Sequence, residues 1–512
     1  DPMHTKCDER ATRREWIGLA VIALPCLLYA MDLTVLNLAI PAITADLKPS
    51  AAQMLWIVDI YGFMVAGALI TMGTLGDRIG RRKLLLIGAA AFGVASVLAA
   101  LATTAPMLIA ARALLGLAGA TLAPSTLSLI RNMFHDPHER TIAIGVWIAS
   151  FSAGGAIGPL LGGLVLAYFS WHAVFLLAVP VMLVLLLVGP KLLPEYRDPH
   201  PEALHLPSAA LSVAAVLSLV FGMKRIAEVG PTPLGLLGVA IGLLLGWLFV
   251  WRQRSLSSPL IDLSLFAMPG FRAALLINSL AFFSMFAAFL YETQYMQLVL
   301  DMSPLRAGLW MLPAALGFVV GSAIVPLIVR RLGMLRVMVG SLMVAAMGFA
   351  AMSQVSTDSL ALMVMSATVF ALALSPVVAL TTDLVIGSVP PHRAGTATGL
   401  SETSTELGGA LGIAVLGGLA GVVYRPAMNK ALPPGLSAQA LDAARSTVGG
   451  AMALANQWPE PAGRAMAAAA RDAYVQGVRL CAGLSAVIML VTAVVAFVTL
   501  RHRGDRAAPK PT

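Results

Sequence analysis

The sequence predicts an all-α membrane protein of fourteen spans: two six-helix halves with two further helices inserted between them. Three observations predict it. The 512 residues are 59% hydrophobic and only 12% charged, whereas a soluble domain carries about 25% charged residues. Apolar runs of roughly the 20 residues that cross a bilayer follow one another along the chain, with polar breaks between them. Short strings from the first half recur in the second at one nearly constant offset. The 46 Gly and 31 Pro fit this class, since membrane helices tolerate both.

The first run, 16–40, follows a basic tail (Lys6, Arg10, Arg13, Arg14). It contains Asp32 and lacks a convincing cleavage site, so it reads as a span and not a cleaved leader. Run 54–75 holds Asp59 near its outer end, and 84–103 is entered from the cations Arg78 to Lys83. Run 106–130 carries Arg112, 141–168 is rich in small residues, and 171–188 closes the first half. The shorter runs 207–222 and 234–251 hold no acid. Run 271–300 is aromatic and contains Glu292. Runs 305–329 and 332–352 follow, then 359–386 with Asp383 near one end. Run 395–423 holds Glu402 and Glu406, and 474–500 holds Arg479. The expected division is 1–190, 191–255 and 256–512, with a long outside segment over 424–473.

Loop charge supports the count. With the N-terminus inside, 23 of the 34 Lys and Arg fall in inside segments, against four in the short outside loops. Both termini are therefore expected in the cytoplasm, and the span count is even. The net charge of +9 belongs to these loops; no basic helix or aromatic RNA motif accompanies it, so no nucleic-acid partner is expected. Cys7, Cys26 and Cys481 are too few and too scattered for a disulfide framework or a zinc site. His135, His138, His172, His205 and His392 fall in loops or near span ends. No nucleophile–base set, metal cluster or phosphate loop is present in the sequence, so neither an enzyme nor a cofactor is expected.

The repeat is specific in register. Arg78-Ile-Gly80-Arg81 is echoed by Arg331-Leu-Gly333, 253 residues later. Gly145 and Gly154-Gly-Ala-Ile-Gly158 are echoed by Gly399 and Gly408-Gly-Ala-Leu-Gly412, 254 residues later. A duplicated six-helix unit whose copies meet at a midplane site is a transporter plan.

Five strings carry more detail. In Gly73-Thr-Leu-Gly76-Asp77-Arg78-Ile-Gly80-Arg81-Arg82-Lys83 the glycines permit a tight turn and the cations hold the loop inside. Asp77 can cap a facing helix N-terminus. Taken alone, its cations are an ordinary positive-inside loop. The full string resembles the signature between the second and third helices of the major facilitator superfamily. Arg112-Ala-Leu-Leu115-Gly116 resembles the family's fourth-helix motif, with Leu115 where Gln is usual. Gly154 to Gly163, including Gly158, Pro159 and Gly162, resembles the fifth-helix motif of its antiporters. Met31-Asp32-Leu-Thr34-Val-Leu-Asn37-Leu-Ala-Ile-Pro41 and Ser401-Glu402-Thr-Ser-Thr-Glu406 are similar to first- and thirteenth-helix strings of its fourteen-helix drug:proton antiporters, notably the exporters of quaternary ammonium compounds. The resemblance covers essentially the whole chain. It implies proton-driven export of lipophilic cations from the inner (plasma) membrane, by a monomer.

The buried acids point the same way. Charge inside a membrane is costly and usually functional. Only Arg112 and Arg479 offer cations within spans, so Asp32, Asp59, Glu292, Glu402 and Glu406 cannot all be paired. An unpaired buried carboxyl can take up and release a proton near neutral pH. Glu402 and Glu406, four apart on one helix face, repel when both are ionised. A cation arriving beside them would expel a proton. Asp32, Glu402, Glu406 and Glu292 are the expected proton and cation sites, with Arg112 tuning Asp32. Glu292 is an extra acid that would matter most for a doubly charged substrate. Trp147, Phe151, Phe286 and Tyr291 are expected at the substrate cavity, because aromatic faces attract organic cations; core packing is the competing reading for the Phe stripe. The small-residue face of the fifth span, kinked by Pro159, could form a pliable interface between halves, or plain close packing. Proton-coupled transport of a nutrient, and a non-transporting receptor or scaffold, are the alternative functions. The first wants intramembrane cations that are scarce here, and the second leaves the buried acids without a purpose.

Overall fold

The computed structural model describes residues 10–49, 51–197, 206–256, 259–390, 394–433, 437, 441, 444–445 and 448–504. Cys7, His205 and His392 lie outside the described residues, as do the side chains of Thr34, Asn37, Pro41, Asp59 and Pro159. Among the described residues the secondary structure is helical, with no strand. A helix satisfies its own backbone, which is what an apolar surrounding demands. Fourteen helical segments are long and apolar enough to cross a membrane.

The first half comprises α1 (Arg13–Leu47), α2 (Ala51–Ile79), α3 (Arg81–Ala100), α4 (Ala105–Gly119), α5 (Leu122–Met133), α6 (Pro137–Tyr168), α7 (His172–Leu176) and α8 (Ala178–Leu192). The fourth span is broken at Ala120–Thr121 and the sixth at Leu177, so eight helices make six crossings. The insert is α9 (Leu206–Val229) and α10 (Pro233–Ser255). The second half comprises α11 (Pro269–Gln294), which continues into a π-helical turn (Tyr295–Val299), then α12 (Pro304–Leu332), α13 (Met334–Met352), α14 (Leu360–Gly387), α15 (Ala394–Ala431), the short α16 (Val448–Ala455) and α17 (Ala462–Gly504).

Three boundaries differ from the sequence reading. The seventh span extends to Val229, and α15 and α17 reach to Ala431 and back to Ala462, well into the segment expected as a long outside loop. Hydropathy marks where a helix is apolar, not where it ends. The Ala-rich start of α17 has the highest helix propensity available and needs no apolar side chains to stay helical.

Within the first half α1 packs on α6, α2 and α3 on α4, and α3 on α8. In the second, α12 packs on α14, α13 on α14 and α17, and α11 on α15. The halves meet along two seams, α2 with α15 and α6 with α12. The repeated glycines explain both. A Cβ at Gly145 would sit 3.0 Å from the Ser322 carbonyl of α12, and one at Gly399 would sit 2.8 Å from the Leu69 carbonyl of α2. Positions 254 residues apart thus make equivalent close crossings, where only glycine lets the backbones approach.

The insert is a hairpin: α9 lies on α10, and α9 also packs on α2 and α15. Leu234, Leu236, Leu237, Leu243, Leu244, Trp247 and Trp251 of α10 are each more than half exposed, the surface of a lipid-facing helix.

Candidate functional site

Arg112 stands in α4, whose start is fixed by Thr104 accepting the Met107 N–H and by Pro106 in the first turn. Its side chain is 1% exposed. Nη1 lies 3.3 Å from Asp32 Oδ2 on α1, and Nε donates to the Ile57 carbonyl of α2 at 2.5 Å. The guanidinium sits 5.3 Å from the centre of the Tyr61 ring. Three helices therefore hold this cation, and Asp32 supplies its counter-charge. Breaking such a buried pair from one side costs roughly 3–5 kcal/mol.

An aromatic wall adjoins the pair. Tyr29, one turn before Asp32, lies 5.9 Å from Tyr61 and 5.6 Å from Phe151, and Phe151 lies 4.8 Å from Trp147. Trp147 Nε1 donates to Thr126 Oγ1 at 2.8 Å, which fixes the indole. The Tyr61 hydroxyl is buried with no hydrogen-bond partner among the described residues.

Across the seam, α15 presents Glu402 and Glu406, one turn apart and half-buried. Both carboxylates are within electrostatic range of Tyr29, and Glu402 also of Cys26. The structure thus brings Asp32, Arg112, Trp147 and Phe151 of the first half opposite Glu402 and Glu406 of the second. Phe286 lies in the α11–α15 contact against Gly409, one turn after Glu406, and not in the aromatic wall of the first half. Tyr291 is also elsewhere: its ring lies 6.2 Å from that of Tyr474, and its hydroxyl accepts from Cys481 Sγ at 3.5 Å, both on α17. A buried tyrosine seeks a partner for its hydroxyl, and α17 supplies one. Glu292 is wholly enclosed in the second half, 0% exposed, with both carboxylate oxygens lacking a partner among the described residues.

The Asp77 loop joins the halves at one face. Asp77 accepts from the backbone N–H of Gly395 (3.2 Å) and Thr396 (3.0 Å) and from the Thr396 hydroxyl (2.9 Å), capping the described start of α15. Arg81, fully buried, pairs with the same carboxylate. A Cβ on Gly73 would collide with the Gly395 carbonyl. Arg78 is exposed. Gly80 has φ +108°, a conformation open to glycine, and a Cβ there would meet the Glu195 carboxylate at 2.5 Å. Glu195 itself accepts from the N–H groups of Arg82 and Lys83 at the start of α3. A second tie lies on the other seam, where Arg140 Nε of α6 is 2.7 Å from Asp383 Oδ1 of α14.

The small-residue face of α6 does not lie between the halves. A Cβ on Gly154 would strike the Leu27 carbonyl, and one on Gly162 would lie 2.8 Å from Val35, both on α1 of the same half. Gly158 is buried between them, and α6 runs unbroken through Pro159. The face is angularly separate from Gly145, the position of α6 that does touch the other half. Among the remaining cations of the spans, Arg479 is on the surface, donating to the Ser353 carbonyl at 3.0 Å.

Sequence reasoning missed Tyr29, Tyr61, Thr126, Glu195 and Arg140. Tyr29 carried a signal, since it lies three residues before Asp32 and so on its face of the helix.

Two six-helix bundles that carry acids to a shared seam, and touch at glycine crossings, define a secondary transporter and not an enzyme. The Major Facilitator Superfamily model matches residues 22–413, and the chain belongs to that family. The chain is 40% identical over 499 residues to the multidrug efflux pump LfrA of Mycolicibacterium smegmatis, covering 97% of this chain and 99% of that one. It is 35% identical over 466 residues to the methyl viologen resistance protein SmvA of Salmonella typhimurium, covering 90% and 93%. It is 31% identical to the tetracenomycin C resistance and export protein of Streptomyces glaucescens, covering 97% and 94%. Among solved structures, the human organic anion transporter MFSD10 superposes with a TM-score of 0.62 at 15% identity, over 94% of this chain and 99% of that one. That likeness concerns the fold alone. The protein is a multi-pass efflux transporter of the inner plasma membrane.

Proposed function

We propose that the protein is a proton-driven antiporter that exports lipophilic organic cations, dyes and quaternary ammonium compounds among them, by alternating access, as a monomer. The observation that carries this reading is the placement of three carboxylates, Asp32, Glu402 and Glu406, about Tyr29 on the two sides of the seam. Arg112 offsets Asp32. At Glu402 and Glu406 of α15 a cation and protons compete for the same carboxylates. Tyr29, Tyr61, Phe151 and Trp147 supply faces for an organic cation, and the Tyr61 hydroxyl, without a partner among the described residues, supplies a polar contact. The relative named for methyl viologen resistance agrees with a cationic substrate.

The loop cations assign the Asp77 face to the cytoplasm. With Asp77 on α15 and Arg140 on Asp383, the protein is held closed on that side. Loss of both ties would admit substrate from the cytoplasm, and their return would commit it outward. The test is ethidium efflux in inverted membrane vesicles, with and without an imposed pH gradient. Efflux that ignores the gradient, or full gradient-driven efflux by the Asp32→Asn, Glu406→Gln double variant, overturns the mechanism.

A further inference from the structure

The second half holds an acid that the cation site does not use. Glu292 is 0% exposed, and both of its oxygens are buried without a hydrogen-bond partner among the described residues. The tyrosine hydroxyls around its segment make their hydrogen bonds with other groups. Tyr474 donates to the Tyr291 carbonyl at 3.3 Å, and Tyr291 accepts from Cys481. Tyr295 donates to the Ser356 carbonyl at 2.6 Å and accepts from the Ser359 N–H at 2.9 Å. These are the titratable groups of the segment: Tyr291 and Tyr295 on its own helix, Tyr474 and Cys481 on α17. No hydrogen bond reaches the carboxyl from α14, α15 or α17 among the described residues; the acids of α15, the neighbouring helix, are Glu402 and Glu406. Directly after it, the helix widens into the π-helical turn, where Leu300 N–H donates to the Tyr295 carbonyl at 3.0 Å.

We propose that Glu292 is a proton-binding site of its own, enclosed in the second half beyond reach of the exported cation, with the π-helical turn after it as the place where the helix gives when the proton leaves. The inference rests on the proton-driven reading above and deepens it. An ionised carboxylate with no partner in such surroundings costs several kcal/mol, whereas the neutral acid forgoes hydrogen bonds only. A bulky cation finds no open side on a fully enclosed carboxyl. A proton needs only a transient water path, and π-helical turns are frequent at functional sites because they break the regular ladder. The step is an exchange with water: the carboxyl O–H bond breaks, the proton passes to water on one side of the cycle, and water returns one on the other.

Infrared difference spectroscopy of the purified full chain tests it, because a protonated carboxyl free of hydrogen bonds has its own carbonyl stretching band. The band is expected at neutral pH in the unaltered protein and in the Asp32→Asn, Glu402→Gln, Glu406→Gln triple variant, and is expected to vanish in Glu292→Gln. Glu292→Gln should bind tetraphenylphosphonium within about twofold of the unaltered protein while gradient-driven efflux falls about tenfold, and Glu292→Asp should recover efflux. A band that persists in Glu292→Gln overturns the assignment. So does probe affinity that falls as far as efflux, which would make Glu292 a cation ligand, or efflux untouched by Glu292→Gln, which would make it a static acid. Failure of the antiporter reading shows separately, as full efflux by the triple variant.

Discussion

The two halves share their packing and differ in their charge. Gly145 and Gly399 make matching crossings, and Gly154 and Gly408 each press their helix onto the first helix of its own half, against the Leu27 and Ser279 carbonyls. The acids do not match. The first half sets Asp32 against a buried Arg112. The second presents Glu402 and Glu406 on α15 and encloses Glu292 without a partner among the described residues. Close packing constrains backbone geometry, so it survives duplication in register. Charges are free to diverge wherever a helix faces the seam, and one half can become the fixed electrostatic wall while the other takes up and releases the mobile charge.

Four experiments would break or sharpen that contrast. The largest effect is expected from the Asp32→Asn, Glu406→Gln double variant, which removes a carboxylate from each wall. Gradient-driven dye efflux in inverted vesicles should fall to background, while the protein still inserts, since each change keeps the shape and removes a buried charge. Next is Arg112→Leu. It leaves Asp32 without its buried counter-charge, and should cost about 3–5 kcal/mol of stability, read by thermal unfolding in detergent. Adding Asp32→Asn should recover most of that loss.

Third, Gly399→Val tests the shared packing. It forces a side chain against α2, so spin-label distances across the Asp77 face should shift toward the open state by about tenfold in population or more. Gly154→Val should instead lower thermal stability, because its clash is within one half. The smallest effect is expected from Arg140→Ala. Its pair with Asp383 is partly exposed and worth about 1 kcal/mol at most after solvent screening. The open-state population read from the same labels should rise about fivefold or less. Unchanged distances in both Gly399→Val and Arg140→Ala would remove the closed face from the mechanism.

Much of the fold was legible in the sequence because a bilayer makes length and apolarity nearly sufficient for a span. The fourteen runs and the fixed offset of the repeat are local features of the chain. Helix ends were less legible: the Ala-rich start of α17 is helical without being apolar, so it read as loop. Within the site, Asp32, Arg112, Glu402 and Glu406 stood out as charges among apolar residues. Tyr29 and Tyr61 did not, since an aromatic in a membrane helix has no such contrast. The Arg140–Asp383 tie joins residues 243 apart in the chain, and only tertiary structure pairs them. Tyr291 and Phe286 show the converse limit, because their aromatic character fits a cavity and a helix interface equally well.

The inserted hairpin has a consequence for how an oily molecule could reach the site. Gly222, Gly238 and Gly242 draw α9 and α10 together so closely that a Cβ at Gly242 would sit 2.6 Å from the Leu219 nitrogen. The hairpin is therefore a stiff plate, and α9 lays it over the seam between α2 and α15. The opposite seam, α6 with α12, carries no such plate among the described residues. An amphiphile dissolved in the lipid tails meets one flank shuttered and the other bare, so sideways access to the transporter is one-sided even though its framework is built on a two-fold plan.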